Sequence, residues 1–195
     1  MSKAFGGIEL GGAFGGYEIV NEPADKLPQD LATAIGNVNS GLLGATYQPI
    51  WYVGHQLVNG TNHFLICKEI RSTKDKNTSI VGLVVNIPPG TIDGEGASVV
   101  EIIEEAKLSP EIQAAFETAE KQLVGVSYKP IAYVGSQVVR GVNHFIICQA
   151  KGIYPGAEPY PVVMVINIFD GNVSIVNISG LLPEKGNLFG YAFNW

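Results

Sequence analysis

The chain has 195 residues, 46% of them hydrophobic and 15% charged, with a formal charge of −6. That composition describes an ordered protein with a sizeable core and excludes a disordered one. Its 12 basic residues form no cluster, which discounts nucleic acid and membrane surfaces as partners.

Residues 1–16, MSKAFGGIELGGAFGG, are glycine-rich and predict a flexible arm, or a mere tail, without the unbroken apolar run that a signal peptide needs. No later run approaches the length of a membrane span, so a cytoplasmic location is expected. Only two cysteines are present, Cys67 and Cys148, which argues against a disulfide framework.

After the arm the chain reads twice, at an offset of 81 residues, as units 17–96 and 97–195. A short strand is predicted at Tyr17–Glu22 and is matched by Ser98–Ile103, a segment that also suits the last strand of the first unit. A helix follows in each unit. Its apolar stripe is Leu31, Ile35, Val38 and Leu42 in the first and Ile112, Phe116, Ala119 and Leu123 in the second. Ser109 and Pro110 provide a cap and first turn for the second helix. Gly36, Asn37, Asn39, Ser40 and Gly41 weaken the first, which is expected to fray or end early.

Next comes the most repetitive stretch. Residues 45–68, ATYQPIWYVGHQLVNGTNHFLICK, and 126–149, VSYKPIAYVGSQVVRGVNHFIICQ, are identical at fourteen of twenty-four positions. Each predicts a strand, a tight turn and a strand, with Gln56, Leu57, Val58, Asn59 and Gly60 at one tip and Gln137, Val138, Val139, Arg140 and Gly141 at the other. Strands at Ser79–Ile87 and Pro161–Ile168 then lead to turns at Pro88-Pro89-Gly90 and Phe169-Asp170-Gly171-Asn172. The second unit continues into a strand at Asn172–Ile178 and an aromatic tail at Phe189–Trp195.

The stretch SQVVRGVNHFIIC resembles the cystatin superfamily, its stefin branch above all, in which a Gln-x-Val-x-Gly hairpin precedes a strand beginning Asn-Tyr-Phe. The resemblance implies an α+β fold of two cystatin-like units, each a long helix packed on an antiparallel β-sheet. It also implies reversible inhibition of papain-like cysteine proteases, with no cofactor. A three-part wedge would enter the protease cleft. Its parts are the two hairpin tips, the second turns at Pro88, Pro89, Gly90 and at Asp170, Gly171, and a glycine-containing trunk at Gly11 and Gly12 or Phe14-Gly15-Gly16. The first hairpin would be the one with a free trunk, and the second the closer match in its loop. The second turn of unit two lacks the proline of the stefin pattern.

Read without the resemblance, Gly60 and Gly141 supply positive φ in a turn, and Val58 and Val139 pack locally. The apolar runs Phe145–Cys148 and Val162–Ile166 leave no wet face, and Ile66 and Ile147 stand where stefins carry a lysine. The face opposite the helix should therefore be covered, by the sister unit or by another chain. That opens an alternative: a non-inhibitory module forming a homodimer through apolar sheet faces.

An enzyme finds no constellation here. His63 and Cys67 share one strand roughly 13 Å apart at about 3.3 Å per residue, too far for a dyad. Pairing of His63 with Cys148 is conceivable, but a core histidine and a structural cysteine are the commoner outcome. No metal spacing is present.

Overall fold

A computed structural model describes residues 8–9, 18–73 and 77–181. In chain order they form β1 (Ile8–Glu9), β2 (Glu18–Pro23), α1 (Gln29–Gly41), β3 (Ala45–Val58), β4 (Gly60–Arg71), β5 (Thr78–Ile87), β6 (Ser98–Ile103), α2 (Pro110–Glu120), β7 (Val126–Val139), β8 (Gly141–Gly152), β9 (Tyr160–Phe169) and β10 (Asn172–Gly180). The strands make two antiparallel five-stranded sheets, ordered β2-β3-β4-β5-β6 and β1-β7-β8-β9-β10.

This corrects the expected α+β fold of two cystatin-like units with long helices. Among the described residues strand predominates, and the two α-helices are short, at 13 and 11 residues. The strands of the duplicated hairpins instead run 12 to 14 residues.

The relative lengths of the helices also reverse the reading from propensity, since the glycine- and asparagine-rich α1 is the longer. Its end is held by a side chain. The Asn39 amide donates to the Tyr47 carbonyl while the Tyr47 N–H donates to Asn39 Oδ1, both at 2.9 Å. Glu120, 81 residues on, only accepts, from the Tyr128 N–H at 3.1 Å. A two-way clasp to β3 offsets the weak intrinsic propensity of the last turn. At the start of α2, Ser109 Oγ accepts the Ile112 N–H and Pro110 opens the helix.

Each helix closes one face of its own sheet. Leu31, Ile35 and Val38 pack with Tyr47, Tyr52, Leu65, Cys67, Val81, Leu83 and Val85. Ala115, Phe116 and Ala119 pack with Tyr133, Ile146, Cys148, Val162, Met164 and Ile166. Complete burial of a side chain such as Leu31 contributes about 1.5–3 kcal/mol. Alternation along the strands sends Phe64, Ile66, Phe145, Ile147, Val163 and Val165 to the opposite faces. They too are buried, as are Trp51 and Val53. Trp51 meets its one polar need by donating from Nε1 to Asn21 Oδ1 at 3.0 Å.

The outer strands settle what the sequence leaves open. Ser98–Ile103 pairs with β5, so β6 completes the first sheet, and among the described residues one compact unit holds β2 to β6 and the other β1 and α2 to β10. With β6 used there, the place beside β7 goes to β1, with Ile8 opposite Gln137 and Glu9 opposite Ser136. In the first sheet β2 holds the matching place, with Glu18 opposite His55 and Ile19 opposite Gly54. Residues 8–9 of the arm expected to be flexible thus form a strand.

Candidate functional site: the two hairpin tips

In both sheets the central hairpin turns within a single residue. Val58 pairs with Gly60 around Asn59, and Val139 with Gly141 around Arg140. Such a turn needs positive φ after the apex, and Gly60 and Gly141 have φ of 94° and 88°. A second constraint acts on both glycines. A methyl group at Gly60 would collide with the Ile87 carbonyl oxygen, and one at Gly141 with that of Ile168. The end of β5 or β9, the third strand of each unit when the hairpin strands are counted as first and second, therefore presses directly on the tip.

Apolar side chains stand on these tips in water. Leu57 is 81% exposed and Val138 80%, with Val58 and Val139 about half as exposed. Isolated exposed hydrophobics are ordinary, but here two adjacent ones recur at the same turn of both units. The glutamines differ from them. Gln137 is buried, and its Oε1 lies 3.5 Å from Asn143 Nδ2, so it supports the tip from below instead of projecting from it. Gln56 is partly buried.

Each tip adjoins the turn that follows its third strand. Pro88 lies beside Gly60. There the chain enters a long connection to β6, in which Thr91 Oγ1 donates to the Pro88 carbonyl at 2.9 Å and Gly90 has φ 74°. Gly94 is pressed against Ala34 of α1. In the second unit Asp170 and Gly171, with φ of 49° and 73°, make a two-residue turn of the primed type between β9 and β10. The two units therefore present different second turns, an open loop carrying Pro88 and Pro89 and a tight hairpin. Beside the latter the Arg140 guanidinium lies 4.9 Å from the centroid of the Phe169 ring, and Phe169 is itself partly exposed.

Two asparagine pairs brace the tips. Asn86 Nδ2 donates to Asn62 Oδ1 at 2.8 Å and to the Asn59 carbonyl at 3.5 Å. Asn167 Nδ2 donates to Asn143 Oδ1 at 2.9 Å and to the Arg140 carbonyl at 3.3 Å. Neither pair is singled out by the sequence reading. The available signal was Asn86 and Asn167 recurring at the 81-residue offset inside otherwise apolar strands.

The trunk residues Gly11, Gly12, Phe14, Gly15 and Gly16 lie outside the described residues, as does the aromatic tail at Phe189–Trp195. Ile8 and Glu9 run beside Ser136 and Gln137, next to the second tip rather than the first, where the resemblance places the trunk. Beside the first tip runs Glu18, whose carboxylate lies 3.8 Å from His55 Nε2. Gly54 permits that approach, since any side chain there would strike the Glu18 carbonyl oxygen.

The thiols and imidazoles are occupied elsewhere. Cys67 and Cys148 are fully buried in the two helix-facing cores, and burial pushes both thiols up, away from thiolate formation. His63 and His144 hydrogen-bond to Tyr52 and Tyr133. Burial, assisted by His55, lowers His63 to about 4, and burial lowers His144 as well. Among the described residues no group of three His, Cys, Asp or Glu could hold a metal ion, and no helix is long and apolar enough to cross a membrane.

No protein-family model matches the chain, and no curated protein matches it significantly.

Proposed function

We propose that the chain is a reversible inhibitor of papain-like cysteine proteases, occluding the active-site cleft with the tips Leu57-Val58-Asn59-Gly60 and Val138-Val139-Arg140-Gly141. The observation that carries this reading is the exposure of paired apolar residues on both glycine-pinned tips. The resemblance of the Gln-x-Val-x-Gly stretch to the cystatin loop supports it from sequence. A preformed wedge loses little conformational entropy on binding, and apolar side chains already in water gain from entering a cleft. Inhibition would be steric, leaving the protease thiolate unmodified. Pro88 and Pro89 in one unit and Asp170, Gly171 and Phe169 in the other would add flanking contacts.

The alternative is a non-inhibitory module that self-associates through apolar sheet faces such as those carrying Ile66 and Ile147.

Titration of papain at fixed substrate with the intact protein and with Val58→Asp and Val139→Asp tests the proposal. Inhibition that one variant abolishes identifies the working tip, and a folded protein without inhibition rejects the reading.

A further inference from the structure

The tips differ most at their apex, where Asn59 stands in one unit and Arg140 in the other, yet both apexes are held in the same way. We infer that Asn86 and Asn167 are positioning residues, each tethering the backbone carbonyl of its hairpin apex to the third strand so that the apex side chain can vary without loosening the wedge. This deepens the inhibitor reading and rests on it for its functional part.

The register puts the four asparagines where the tether needs them. Asn62 faces Asn86 across β4 and β5, and Asn143 faces Asn167 across β8 and β9. A backbone carbonyl only accepts, so contact with the Asn59 or Arg140 oxygen fixes which end of the Asn86 or Asn167 amide points to the tip. The other Nδ2 hydrogen is then given to Oδ1 of the facing asparagine, at 2.8 and 2.9 Å. In the second unit that asparagine continues toward Gln137, linking β9, β8 and β7 beneath the apex. The glycine contacts act in the same sense. Gly60 and Gly141 let the third-strand backbone close on the turn, and the amide ties the turn down once it is there.

A tether to backbone separates shape from identity. Arg140 is free to lie over Phe169 and present a cation at the second tip, while Asn59 presents a neutral amide at the first. The apex residue becomes the place where target preference differs between two wedges of one shape.

The test uses the full-length chain with Asn167→Ala and Asn167→Asp, which both remove the donor and differ in charge. Backbone ¹⁵N relaxation is read at residues 138–141, with residues 57–60 of the untouched hairpin as the internal reference. Both variants are expected to lower order at the second tip alone, with little change in the unfolding midpoint. In a Val58→Asp background, each should weaken papain inhibition about fivefold, the worth of one modest hydrogen bond. Tip order unchanged in Asn167→Ala, or lowered by Asn167→Asp alone, would overturn the inference. Asn86→Ala, read at residues 57–60, decides the matter independently should the Asn167 variants fail to fold. If the unaltered protein does not inhibit papain, the inhibitor reading fails by itself, and the relaxation data still decide the tether.

Discussion

The phenolic oxygen of Tyr52 lies 2.8 Å from Nδ1 of His63, and Tyr133 and His144 repeat the pair at 3.0 Å. Both phenols are pushed up and both imidazoles down, with burial the largest cause in every case. Asp30 opposes the shift at His63 and Glu111 opposes it at His144, and neither prevails over burial.

A pH dependence follows. The folded value of His63, about 4, is below its free value of 6.5, so between the two the unfolded chain binds a proton that the fold resists. This contribution to stability is complete above about 6.5 and declines as pH falls toward about 4. Denaturant midpoints should fall between pH 7 and pH 5, and His63→Gln should flatten part of that slope. Identical slopes in the variant and the parent would remove His63 from the account.

Leu31 and Leu43 offer a contrast within one helix and its exit. Leu31 is fully buried under α1, whereas Leu43 is entirely exposed. Leu31→Ala should cost about 2–5 kcal/mol and Leu43→Ala less than about 0.5 kcal/mol in equilibrium unfolding. Similar costs at both sites would mean that α1 is not packed as described.

Gly141 and Gly171 separate two demands on glycine. At Gly171 an added methyl group meets nothing within 4 Å, so Gly171→Ala costs only the positive φ, about 1–2 kcal/mol. At Gly141 the same methyl group also meets the Ile168 carbonyl and Phe169 Cβ, the latter at 2.7 Å. Gly141→Ala should therefore be the more destabilising of the two and should displace the tip. Equal unfolding midpoints would show that β9 gives way freely.

Removal of residues 1–10 takes β1 away from β7. Amide exchange should then quicken around Ser136 and Gln137 and stay unchanged around Gly54 and His55, whose neighbour is β2. Unchanged exchange at both places would mean that β1 does not hold its position in solution.

The hairpins were legible because their signals agree: long apolar runs, a turn glycine, and the same pattern 81 residues later. The helices, their buried stripes and the Ser109 cap were legible too, but their relative lengths were not. Asn39 reads as a helix breaker until it is seen clasping both polar groups of Tyr47. Ser98–Ile103 could not be assigned, since an apolar strand of six residues fits either sheet edge and only the supply of another strand decides. At the tips, exposure of the valines was foreseeable from the turn. Burial of Gln137 was not, because a motif gives residue types and the register gives faces.

Ile8 pairs with a residue 129 positions later in the chain, whereas the β2–β3 pairs are 28 to 37 residues apart. Contacts across such a span close slowly, because the entropy of a large loop is lost before any contact forms. All five strands of the first sheet are synthesised before β7 exists, so that unit can finish folding while residues 8–9 still wait for theirs. Until β1 docks, Ser136 and Gln137 in the strand leading to the second tip lack their β1 neighbour, leaving the kind of edge on which chains pair wrongly. Refolding should accordingly show two phases, the later one reported by the second hairpin.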